Sequence, residues 1–369
     1  MAYPHIPTAV PLDTPSDAPV ATSVPVDAYN PPAVGRQVTE GFFERLEMPG
    51  GLAREFKGSL QHIPRRIWII DNSGSMQTTD GHRIVFGPAG REGMVTTSRW
   101  EELGDALRWH ARVAAHLGAP TEFRMLNPPG GGSPQVLQFG SSGAPEEEVK
   151  AVERMLSSGP TGRTPLCEQI RQVIAQLKAE EPVLRAAGQR VVLVIASDGA
   201  ATDGDIAEAM KPLQNLPVWV VVRLCTDDDK VLQYWNQVDE DLELDMDVLD
   251  DLTGEAAEVS EHNAWLTYAP ILHRLREWGT TRKIFDVLDE KPLAVSEMKE
   301  LVTLILGADA EDLPDPQLDW GGFKAQLSAL LSHAPTVWDP LRSRRREWFD
   351  LKRMQKRYEL KKQPSCVLM

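Results

Sequence analysis

Two short runs of bulky apolar residues each stop at an aspartate, and they constrain the fold more than any other feature of the chain. Ile67-Trp68-Ile69-Ile70 ends in Asp71, and the run over residues 191–196 ends in Ser197-Asp198-Gly199. Runs this short, apolar at every position, suit strands covered on both faces, as in the parallel sheets of α/β proteins. Residues 218–222 form a third such run, in a strand predicted over 218–224.

Helical spacing fills the intervals. Residues 100–117 place Leu103, Leu107, His110, Ala111, Ala114 and Leu117 on one side. A helix after Pro145 opens on three glutamates, which suit the positive end of its dipole. Another spans residues 165–187, with proline in its first turn and Gly188 just past its end. Further helices are predicted over 206–213, 230–238 and 270–278. Residues 122–126 and 135–139 read as a hairpin pair. The alternation of acid and apolar residues over 241–248 predicts a strand with one wet face, its carboxylates discouraging edge-to-edge pairing. Strands alternating with helices predict a mainly parallel sheet with helices on both faces.

Around this α/β unit, set at residues 64–280, the composition changes. Residues 1–36 hold eight prolines and no lysine or arginine before Arg36, which reads as a polyproline-rich arm. Residues 37–63 form an amphipathic lead-in. After residue 280 the strand signals vanish, and a small helical module is predicted over 281–338, followed by a basic helix and tail over 339–369.

Several function classes are excluded or disfavoured. The chain carries −15 formal charges, which argues against nucleic acid as the main partner. Three cysteines make no disulfide framework and no zinc spacing. Cys167 and Cys225 have no histidine near them in sequence and read as buried structural thiols. There is no GxxxxGK[ST] phosphate loop, so the chain is not itself an ATPase of that class. No apolar run approaches the ~18–20 residues of a membrane-spanning helix.

Chemistry is expected where strands end, because open α/β sheets present ligand groups at the carboxyl ends of their strands. Asp71 is followed by Ser73 and Ser75. Asp198 ends a central strand, and between them Gly162-Arg163-Thr164-Pro165 opens a helix. Two carboxylates and three hydroxyls are oxygen donors of the kind that a hard cation such as Mg²⁺ accepts. Two carboxylates do no more than neutralise a dication, so a bound ion with an open position still accepts an outside anion there.

Asp71-x-Ser73-x-Ser75, then Gly162-x-Thr164-Pro165-Leu166, then Ser197-Asp198-Gly199 resemble the metal-ion-dependent adhesion site of von Willebrand factor type A domains. The resemblance implies a Rossmann-like fold with Mg²⁺ or Mn²⁺ held by Asp71, Ser73, Ser75, Thr164 and Asp198. It also implies a protein partner whose Asp or Glu completes the metal shell. Two departures stand out. Residues 77–97 make a longer connection than usual, expected to be a surface hairpin. The flanking cysteines typical of extracellular members are absent, which fits the cell interior. A metal-dependent hydrolase and a regulatory subunit of an ATPase complex are the alternatives. No His or Lys accompanies the motif loops to serve a hydrolase as a base.

Cys366-Val367-Leu368-Met369 resembles a CaaX prenylation signal, which implies a farnesyl group on Cys366 and a eukaryotic source. Residues 341–365 hold ten basic and three acidic residues, +7 against −22 for the rest of the chain. Arg344, Arg345, Arg346, Lys352, Arg353, Lys356, Arg357, Lys361 and Lys362 are therefore candidates for contact with an anionic membrane. One lipid chain binds only marginally, so such a second signal is required. These features predict a peripheral protein lipid-anchored to the cytoplasmic face of a membrane. Leu351, Met354 and Tyr358, with Trp348, form an apolar stripe that either packs on preceding helices or dips into the bilayer interface.

Overall fold

A computed structural model of the chain describes residues 41–86 and 92–359. The proline-rich arm at 1–36, Cys366, Lys361 and Lys362 lie outside the described residues. The strands are β1 (Arg66–Ile70), β2 (Gly81–Phe86), β3 (Glu92–Thr97), β4 (Thr121–Met125), β5 (Val136–Phe139), β6 (Val191–Ser197), β7 (Val218–Leu224), β8 (Met246–Leu249), β9 (Val337–Asp339) and β10 (Arg344–Arg346). The first helices are α1 (Phe42–Arg45), α2 (Gly50–Gly58), α3 (Arg99–Leu117), α4 (Pro145–Leu156), α5 (Leu166–Ala186), α6 (Ile206–Met210) and α7 (Asp229–Asp241). They are followed by α8 (Leu252–Asn263), α9 (Pro270–Glu277), α10 (Lys283–Asp286), α11 (Val295–Leu306), α12 (Trp320–His333) and α13 (Leu351–Tyr358).

A six-stranded sheet in the order β5-β4-β1-β6-β7-β8 forms the centre. All its pairings are parallel except the β4–β5 hairpin at one edge. The period of two in the strands divides the core. Ile67 and Ile69, and Val191, Leu193 and Ile195, join the layer of α5, α6 and α7. Trp68 and Ile70, with Val192, Val194 and Ala196, turn to the opposite layer, which includes α3 and α9. Both apolar strands are buried at every position, as their composition predicts.

The 77–97 connection is the expected hairpin, β2 pairing antiparallel with β3. Ser98 closes it by capping α3, accepting from the Glu101 backbone N–H.

Two expectations need correction. Of the strand predicted over 241–248, only residues 246–248 are strand, in β8, which runs to Leu249. Asp241 instead ends α7, which is closed by the Leu242 N–H donating to the Val238 carbonyl.

The basic helix predicted from residue 340 begins only at α13. The Asp339 carboxylate accepts from the Leu341 and Arg342 backbone N–H groups and makes a turn, which sends Arg344, Arg345 and Arg346 back as β10 against β9. Helical spacing had concealed the hairpin. The apolar stripe then faces inward. Trp348, Phe349 and Met354 are buried, and the Tyr358 hydroxyl donates to the Leu293 carbonyl at 3.1 Å.

The helices after residue 280 also share one continuous apolar cluster with the sheet and with α2. Close approach of backbone to backbone joins α2 to α11, where a Cβ on Gly51 would fall onto the Leu304 carbonyl oxygen. Among the described residues no helix is long and apolar enough to cross a membrane.

Candidate metal centre

β1 and β6 are neighbouring parallel strands, so Asp71 and Asp198 leave the same edge of the sheet side by side. Both are buried, Asp71 completely and Asp198 to 7% exposure. Burial and the facing Asp198 carboxylate push Asp71 up to about 6, a sign of two anions held close.

Hydroxyls connect the pair. Asp71 accepts from the Ser73 backbone N–H at 2.8 Å and from the Ser197 hydroxyl at 2.6 Å. The Ser73 and Ser75 hydroxyls lie 2.9 Å apart, and Ser75 donates to Asp198 Oδ1 at 2.9 Å. Asp71, Ser73, Ser75 and Asp198 thus form one hydrogen-bonded set.

Thr164, also buried, arrives on the loop before α5. That loop is tied to the serine loop by backbone bonds. The Gly74 N–H donates to the Gly162 carbonyl at 3.1 Å, and the Thr161 N–H to the Asn72 carbonyl at 2.7 Å. Gly162 has φ +90°, and a Cβ there would stand 2.7 Å from Asn127 Oδ1, so glycine is required for the loop to dock. Thr164 is fixed in turn by its carbonyl, which accepts from the Thr202 N–H at 2.9 Å.

The sequence reading missed Arg99. Its Nε and NH2 grip the Asp80 carboxylate bidentately, and its NH1 donates to Asp198 Oδ2 at 2.9 Å. Burial works against this charge, yet the two carboxylates hold it above the ordinary arginine value. A lone arginine at a helix start, far from the motif loops, carries no signal until the hairpin brings Asp80 to it. In sequence Ser197 stands only as the neighbour of Asp198, whereas in the fold its hydroxyl orients Asp71.

The donor set contains only carboxylate and hydroxyl oxygens, which fits Mg²⁺ or Mn²⁺ and not a soft metal. A second acidic group, Glu255, Glu258 and Asp289, lies close enough to share an ion. There the Arg276 guanidinium already stands among the acids, bonded to Glu255 and 3.7 Å from Asp289.

The basic candidates of the tail divide. Arg345 pairs with Glu47 and Glu92, and Arg346 lies 3.4 Å from both Asp339 and Asp350. Arg353 donates to the Ala264 carbonyl at 3.0 Å. Arg344, on β10, is exposed, as are Lys352, Arg353, Lys356 and Arg357 on α13, whose Met354 is buried.

No family model and no curated protein matches the chain. Among solved structures it is similar to the D319A mutant of the PilB minor pilin from Streptococcus sanguinis, at 11% identity and a TM-score of 0.39. The match covers 61% of this chain and 62% of that one, and likeness at this level bears on neither fold family nor function.

Proposed function

We propose that the chain is a von Willebrand factor type A protein whose Asp71, Ser73, Ser75, Thr164 and Asp198 hold Mg²⁺ or Mn²⁺. The ion lets it grip an acidic side chain of a protein partner. One observation carries the reading: two buried carboxylates from adjacent parallel strands, joined through Ser73 and Ser75, make a compact all-oxygen site at the sheet edge where α/β proteins bind ligands. When bound, the metal supplies the charge that draws the partner's carboxylate. The chain's own residues set the rest. Ser197 and the Ser73 N–H fix the orientation of Asp71, and the Gly162 loop carries Thr164 to the serine loop.

We further propose that Cys366 carries a prenyl group and that the exposed basic side of α13 lies against anionic lipid. The apolar face of α13 is spent on the core, so the tether rests on charge and lipid together.

Calorimetric titration of the full chain with Mn²⁺ tests the metal reading. Saturable binding is expected in the wild type, and Asp71→Ala should abolish it. Saturable binding that survives Asp71→Ala unchanged would refute the assignment. For the tether, a Cys366→Ser chain is expected to leave the membrane fraction in cells that prenylate; full retention would refute it.

A further inference from the structure

Two buried carboxylates that repel one another need a cation, and the fold supplies one of its own. Arg99 is the first residue of α3 and sits directly after the hairpin, whereas Asp80 sits directly before it. Their bidentate pair therefore staples the two ends of the hairpin together. From that staple the third guanidinium contact reaches Asp198, so one planar group is shared between the hairpin base and the metal centre. The side chain is only 14% exposed, and burial leaves it little freedom to sample other positions.

Both Asp198 oxygens are then occupied by protein donors, Oδ1 by Ser75 and Oδ2 by Arg99. A dication entering the site meets a fixed positive charge on one of its own ligands. From this geometry we infer that Arg99 is the resident counter-cation of the metal-free site, and that metal and Arg99 compete for Asp198. Asp80 sets the strength of that competition by holding part of the guanidinium's charge. The hairpin, a departure from the family pattern, thereby becomes the element that tunes metal affinity. This inference rests on the metal reading above.

Two substitutions on the same ion pair should move affinity in opposite directions, which a merely structural role would not do. In calorimetric titrations of the full chain with Mn²⁺ and Mg²⁺, Arg99→Gln is expected to tighten binding on the order of tenfold, the loss of one charge-assisted contact. Asp80→Asn is expected to weaken it by a similar factor, because Arg99 is left leaning on Asp198 alone. Binding by Arg99→Gln where the wild type shows none would also support the inference. If the wild type binds metal and Arg99→Gln binds no tighter, or Asp80→Asn no weaker, the inference fails while the metal site survives. If neither the wild type nor Arg99→Gln binds, both fail.

Discussion

Glu277 is the point at which the largest stability change is expected from the smallest edit. It ends α9 with no solvent exposure, and four groups converge on it. His110 Nε2 lies 2.8 Å away, Arg274 NH1 reaches both oxygens at 2.8 and 2.7 Å, Arg223 Nε is at 3.3 Å and His273 Nε2 at 3.7 Å. Although burial alone would raise it, the Arg274 charge and the His110 hydrogen bond hold Glu277 well below the usual carboxylate range. Burial keeps His110 and His273 neutral, His273 down to about 3. Arg223 continues the network to Glu102 on α3, which also accepts the His82 N–H of the hairpin at 2.8 Å.

Glu277→Gln preserves shape but leaves buried Arg223 and partly buried Arg274 short of an anion. Breaking a buried charge network in this way costs about 3–5 kcal/mol, roughly a fifth or more of a typical domain's total stability. At roughly 2 °C per kcal/mol for a chain of this size, the melting temperature should fall by about 6–10 °C. The pH dependence has a definite sign. A depressed carboxylate stabilises the fold above its unfolded value near ~4.3 and loses that contribution as pH falls through its lower folded value. Urea unfolding followed by tryptophan fluorescence should show a constant gap between wild type and variant above about pH 5, narrowing below it. A loss under about 1 kcal/mol, or a gap that persists undiminished into acid, would refute the argument.

Three further outcomes are expected. Gly51→Ala should lower stability by at least about 2 kcal/mol in urea, because a Cβ cannot be placed against the Leu304 carbonyl without separating α2 from α11; an unchanged midpoint would show that the seam is loose. Saturating Mg²⁺ should raise stability by about 2–3 kcal/mol at a hundredfold excess over its Kd, and a chain with Thr164→Ala and Asp198→Ala should show no such rise in a thermal melt. In a Cys366→Ser chain, Ellman's reagent should find no reactive thiol until denaturant is added, since burial pushes both Cys167 and Cys225 up to about 12.

The centre of the sheet was legible because β1 and β6 carry unbroken apolar runs that stop at charged or turn-forming residues, as at Ile70–Asp71 and Ala196–Asp198. The helices α3, α5, α7, α9, α11 and α12 were legible for the complementary reason, a regular apolar face. Failures came where a local tertiary bond outweighed spacing. Asp339 turns the chain and converts an arginine-rich stretch of helical pattern into β9–β10. The ligand residues lie on motif loops whose spacing is readable, whereas the contacts of Arg99 join positions 19 and 99 residues apart in the chain. No local pattern reports such a pairing.

The seam between α2 and α11 has a practical consequence for anyone dissecting the chain. A fragment cut to residues 65–279, the span its motifs suggest, would lose both sides of that seam and the aromatic residues Phe56, Trp348 and Phe349 that lie against the same core. Such a piece would present a wide apolar surface to water and should aggregate instead of reporting on ligand binding. Soluble material is expected only when the boundaries enclose both flanks, from before Phe42 to beyond Tyr358.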